Sequence, residues 1–294
     1  MAEWEGQSRG NLLGYKIFIF LLRKLGIGVA YFVLRFVAFY YFLFSFKSSK
    51  CIYQYFHKRL GYSPVKSILN IYSSYYTLGR ILIDRVAIST GLREKFTYTH
   101  DGIKYIDDLL KEGQGGILIS GHVGNFEIAH YFLENRYNIN KISMVTTRDE
   151  QQSILDYMDS IVVKSQLDFI LVKDDMSHIF EIHSALDKGG LVVFTGDRYL
   201  PGTKTLKASL LGKEAEFPLG PYLLASRLNM PVLFVYVMKE TRKHYSLYAR
   251  KANFKARDAQ GLLNEYTQSM EWIIKKYPLQ WFNFFDFWKD LKKE

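Results

Sequence analysis

The sequence predicts an α/β fold: a mainly parallel sheet flanked by helices, preceded by an N-terminal membrane-binding helical segment. Three observations predict it. First, short runs rich in Val, Ile, Leu and Phe, such as GGILIS, KISMVTT and GLVVFTG, alternate with helix-length stretches. Strands that are apolar throughout are those covered on both faces of a parallel sheet. Second, residues 25–46, LGIGVAYFVLRFVAFYYFLFSF, carry Arg35 as their one charge and are long enough to cross a bilayer. Third, 48% of the 294 residues are apolar and 23% charged, which excludes disorder and allows a sizeable core.

Taken in chain order, residues 1–92 read as a membrane-associated helical region and residues 93–294 as one α/β domain. Residues 1–60 hold nine Lys and Arg against Glu3 and Glu5, which is +7 of the net charge of +10. Basic residues mixed with apolar ones suit an anionic membrane surface, where each contributes about 1 kcal/mol. Within 25–46 the central arginine is costly in hydrocarbon, aromatics crowd the second half and cations flank both ends. The expectation is therefore a membrane-embedded or steeply inserted helix in preference to a clean span. No small-residue cleavage site follows it, so a removable signal peptide is not expected. Residues 64–92 have apolar positions at helical spacing and predict a second, amphipathic helix.

From about residue 95 helices and strands alternate. DGIKYIDDLLKEGQ predicts a helix, GGILIS a strand, NFEIAHYFLENR a helix and KISMVTT a strand. DEQQSILDYMDSI follows as helix, DFILV as strand, MSHIFEIHSALDKG as helix and GLVVFTG as strand. PLGPYLLASRLN is then helical and PVLFVYVM a strand; HYSLYARKANF predicts an edge strand, and a long helix starts near Asp258.

The stretch GHVGNFE, residues 121–127, follows the strand GGILIS and places His122 at the carboxyl edge, where open α/β sheets gather ligands. Asn125 is a candidate cap for the next helix and Glu127 falls in its first turn. A chain turning after His122 brings the Glu127 carboxylate to one ring nitrogen and leaves the other as a base, the logic of a triad without a serine. Asp197 and Arg198 end the strand GLVVFTG on the same edge. In a functional reading Arg198 binds a phosphate or polarises a carbonyl and Asp197 steadies the site; the alternative is a solvated turn. Arg148, after KISMVTT, is a third strand-end candidate for phosphate binding, with a surface arginine at a helix start as the alternative. The basic segment KTLKASLLGK, residues 204–213, suits phosphate headgroups, an acidic carrier protein or a plain solvated hairpin.

Other chemistries are disfavoured. Glu127 and His130 form half of a di-metal carboxylate motif, but no second copy exists, and Cys51 is the single cysteine, so no metal is expected. Neither Gly-x-Gly-x-x-Gly nor Gly-Lys-Ser/Thr occurs. The positive charge travels with apolar residues and no recognition motif appears, so nucleic acid is not an expected partner.

GHVGNFE resembles the His-x4-Asp/Glu motif of membrane glycerolipid acyltransferases, and in its Gly-His-x-Gly-Asn-aromatic-Glu form it resembles the bacterial late acyltransferases of lipid A biosynthesis. GGLVVFTGDR, the stretch from LLGKEAEFPLGPYLLASRLN to its apolar strand, the terminal YPLQWFNFFDFW and the N-terminal apolar helix are similar to that family in the same order. The resemblance implies transfer of a fatty acyl chain from a thioester, acyl carrier protein or coenzyme A, to a hydroxyl of a membrane glycolipid such as a lipid A precursor. It implies no cofactor, and a place on the cytoplasmic face of a bacterial inner membrane. His122 is then the general base and Glu127 its orienter; Asn125, Arg148, Asp197 and Arg198 are candidate substrate-binding residues. Two rivals stand beside it: O-acylation of another amphiphile, such as an aminolipid or polyene pigment lipid, and a non-catalytic lipid-binding membrane protein.

Overall fold

A computed structural model describes residues 12–111, 113, 115–131, 142–146, 167–173 and 175–289. The chain opens with helix α1 (Leu12–Phe44), bent at Gly26, whose φ of 82° an L side chain rarely adopts. Helices α2 (Phe46–Gln54) and α3 (Pro64–Ala87) follow. Pro64 occupies the first turn of α3, and the Ser63 hydroxyl accepts from the Lys66 N–H at 3.4 Å.

The expected apolar helix at 25–46 is present, with the stretch Lys24–Phe44 long and apolar enough to cross a membrane. It does not stand free of the body. Ile27, Ala30, Tyr31 and Leu34 are buried in a cluster with Ile83 and Val86 of α3 and with Val237, Tyr245 and Leu247 of the sheet. The opposite face leaves Phe32, Phe36, Phe39, Tyr40 and Phe44 exposed, Phe36 by 64%.

Seven strands build the main sheet: β1 (Thr97–Asp101), β2 (Gly116–Ser120), β3 (Ile142–Thr146), β4 (Leu167–Leu171), β5 (Leu191–Thr195), β8 (Val232–Lys239) and β9 (His244–Lys251). Their order is β1-β9-β8-β2-β5-β3-β4, and every pairing is parallel except β8 with β9. The expected edge strand, β9, is therefore interior. Its central residues are buried on both faces, and the edge is taken by β1, whose short sequence TYTHD carries no apolar alternation. Strands β6 (Thr205–Leu210) and β7 (Lys213–Pro218) form a separate hairpin, turning at Leu211 and Gly212, both at positive φ. The basic segment 204–213 is thus largely this hairpin, where Lys207 pairs with Glu214 at 3.0 Å.

Side chains alternate across the sheet. Ile117, Ile119, Phe194, Phe234 and Tyr236 join the main core with α6 (Leu219–Arg227) and α7 (Ala259–Lys276). On the other face Leu118, Leu191, Val193 and Leu233 meet Ile106 and Leu109 of α4 (Ile103–Lys111). Helix α5 (Ser177–Asp187) connects β4 to β5. Of the predicted helix NFEIAHYFLENR, Phe126–Ile128 form a 3-10 turn and the chain is helical to Tyr131. The rest of it lies outside the described residues, as do the predicted helix DEQQSILDYMDSI and Arg148.

Candidate functional site

Strand register builds the site. Ser120 of β2 lies beside Thr195 of β5. Two residues further on, past the carboxyl ends of both strands, His122 and Asp197 therefore come side by side. One Asp197 oxygen accepts the His122 Nδ1–H at 2.7 Å and the other accepts the His122 backbone N–H at 2.9 Å. That bond fixes the tautomer and leaves Nε2 as the nitrogen able to take a proton. Asp197 is 1% exposed and the His122 side chain 27%.

The flanking glycines are required by close approach. A Cβ at Gly121 would lie 2.3 Å from the Met270 methyl and 2.6 Å from the Tyr266 hydroxyl; at Gly124, with φ of 64°, it would lie 2.2 Å from the Val237 carbonyl oxygen. The C-terminal aromatic run closes over the same loop. The Phe282 N–H donates to the His122 carbonyl at 2.9 Å, and the Gly124 N–H donates to the Gln280 carbonyl at 2.8 Å. Asn283 donates its Nδ2–H to Asp197 at 2.8 Å and accepts from Arg198 Nε at 2.6 Å; Arg198 Nη2 donates to the Phe282 carbonyl at 2.9 Å.

Burial pushes the Asp197 carboxyl up, but His122, Arg198 and Asn283 outweigh it and hold it at about 2. Burial, with Arg198 beside it, lowers the His122 imidazole against the raising effect of Asp197 and Glu127, so the ring is neutral near pH 7. Burial brings the Arg198 guanidinium down to about 10, against the opposing pull of Asp197.

Several expectations are corrected by this geometry. The carboxylate bonded to His122 Nδ1 belongs to Asp197, not Glu127. The 3-10 turn after Asn125 carries the Glu127 side chain toward α3, where it pairs with Arg85 at 2.6 Å, and its charge reaches the imidazole through space. Asn125 is 1% exposed, makes no side-chain cap, and donates to the Ile81 carbonyl at 3.3 Å. It therefore faces α3 instead of a substrate, because its own N–H is fixed to the Val237 carbonyl at 2.7 Å. Arg198, expected to meet a phosphate or a carbonyl, commits two donors to the C-terminal segment. Asn283 had no signal beyond being the one amide within WFNFFDFW.

A small apolar crevice of about 30 Å³ lies between the sheet and the Phe126–His130 turn. Leu118, Ile142, Met144, Val193 and Val235 line it, and Glu127 stands at its border. Among the described residues no group of three or more His, Cys, Asp or Glu converges as a metal site would require.

Residues 12–290 match the family described as bacterial lipid A biosynthesis acyltransferase. No curated protein matches the chain.

Proposed function

The chain belongs to the bacterial lipid A biosynthesis acyltransferase family, and from that premise we propose that it moves a fatty acyl chain from an acyl thioester to a hydroxyl of a lipid A-type glycolipid. The donor is acyl carrier protein, with coenzyme A as the chemical equivalent. The observation that carries this reading is the His122–Asp197 pair at the carboxyl edge of parallel strands.

In the proposed reaction His122 Nε2 takes the proton of the acceptor hydroxyl as its oxygen attacks the thioester carbonyl. The tetrahedral intermediate then collapses, the C–S bond breaks, and the thiolate leaves with the proton returned by the imidazolium. Asp197 holds the ring in the reactive tautomer and stabilises its transient charge. A thioester is already activated, so no covalent acyl-enzyme is needed. General-base help is worth roughly 10²–10⁴-fold, and positioning of the acyl chain supplies further rate. The exposed aromatic face of α1 and the basic N-terminal segment support a place on the cytoplasmic face of a bacterial inner membrane, where an amphiphilic acceptor is presented.

The test is mass spectrometry of total lipids from cells with the gene, without it, and with the His122→Ala chain. Without the gene and with His122→Ala, a glycolipid lighter by one acyl chain accumulates. If instead the missing acyl group maps to a lipid lacking phosphate and sugar, the acceptor assignment is wrong; an unchanged lipid profile contradicts acyl transfer altogether.

A further inference from the structure

We propose that Arg80 and Arg242 form a binding site for the phosphate of a membrane lipid headgroup, beside the kink of α1 and using none of the residues of the His122 site. The proposal rests on the membrane-surface reading of α1 and not on acyl transfer. The two guanidinium groups share one aromatic ring: Arg80 Cζ lies 5.3 Å and Arg242 Cζ 5.6 Å from the centre of Tyr31. Behind the ring, Asp84 and Lys239 are buried and pair with each other, and the Tyr31 hydroxyl donates to Asp84. That inner pair is neutral as a unit, so the outer cluster keeps two positive charges.

Neither arginine pairs with a carboxylate among the described residues. Arg80 Nη2 donates to the Thr241 carbonyl at 3.4 Å and the guanidinium also hydrogen-bonds the Tyr31 side chain, while its buried Nε has no hydrogen-bond partner. Two like charges that share one ring repel, and a bound anion offsets that cost. The fork of a guanidinium matches phosphate oxygens in geometry and charge.

The surroundings select a lipid as the source of the phosphate. Arg242 lies against the backbone of α1 just past the kink, where a Cβ on Gly28 would stand 2.7 Å from its Nη2. Leu25, Val29 and Phe32, on the same stretch of helix, are exposed. Cations bordering an exposed apolar helix face sit where a bilayer carries its phosphates. Free inorganic phosphate shares the chemistry but gains nothing from the apolar surroundings.

The experiment titrates the full chain, in an uncharged detergent, with dihexanoyl phosphatidic acid and separately with inorganic phosphate, by calorimetry. The wild type is expected to bind the lipid saturably at one site and inorganic phosphate far more weakly. Each lost cation weakens lipid binding by about fivefold, so Arg242→Gln and Arg80→Gln each do so and Arg242→Glu does so by more than either. Arg257→Gln, an exposed arginine in the segment that leads into α7, leaves binding unchanged. Arg242 is exposed, so its variants report even if Arg80→Gln fails to fold. Lipid binding unaffected by Arg242→Glu overturns the site while leaving membrane attachment through α1 intact; equal affinity for inorganic phosphate overturns the lipid assignment.

Discussion

Asp197 shows how strand register decides which acid serves a histidine. One of its oxygens receives the imidazole, and the other receives the His122 backbone and the Asn283 amide. Asn283 is thus one of the groups that keep the carboxyl at about 2, below the ordinary value of 3.8. A depressed carboxylate stabilises the fold above its unfolded pKa, and that contribution fades as pH falls toward the folded value. Asn283→Ala brings the folded value nearer to the ordinary one. The expected outcome is acid unfolding at a higher pH than in the wild type, read by circular dichroism across pH 5 to 2. His122 was legible in the sequence because a histidine between two glycines at a strand end has few structural roles. The identity of its partner was not, because the pairing depends on the β2–β5 register across 75 residues, whereas Glu127 is near only along the chain.

At the level of elements, one buried cluster locks the helical region to the sheet. Asp84 of α3 accepts from Lys239 of β8, Tyr245 of β9 and Tyr31 of α1. Burial raises the Asp84 carboxyl and lowers the Lys239 ammonium to about 8, each opposed by the partner's charge. Removing one member leaves the other charge buried and alone, so Asp84→Ala is expected to cost about 3–5 kcal/mol, measured by denaturant unfolding. Asp84→Leu combined with Lys239→Met is expected to recover most of that loss. The helix α3 was readable from its 3.6 periodicity and its proline start. The place of β9 was not: HYSLYARK has the mixed polarity of a half-exposed strand, and only the pairing of β1 along its other side makes it interior.

Across the whole molecule, most of the exposed large apolar side chains among the described residues lie on the N-terminal helices α1 to α3, with a smaller group, Phe169, Val172, Met176 and Phe180, at β4 and α5. Phe36, Phe39 and Phe44 of α1 and Val65 and Leu69 of α3 are all exposed, with Lys47, Lys50 and Lys66 exposed among them. Exposed apolar side chains grouped on neighbouring helices in this way mark an interaction site, and the accompanying cations suit an anionic bilayer. Phe36→Asp with Phe39→Asp is expected to shift the chain from the membrane pellet to the soluble fraction on cell fractionation, at little cost in stability, since both rings already face outward. The sheet class and the N-terminal helix were readable from periodicity and composition. The way α1 packs one face on α3 while exposing the other was hidden, because both faces are apolar and a sequence pattern cannot distinguish protein from lipid as the cover.

The central claim is that Asp197 holds His122 as the base for acyl transfer, and the kinetics of Asp197→Asn test it most directly. The substitution keeps the shape of the side chain but lets the imidazole take the wrong tautomer. With the fold verified, kcat for transfer from acyl carrier protein is expected to fall by about 10²–10⁴-fold with little change in KM. A variant that folds and retains the wild-type kcat contradicts the account.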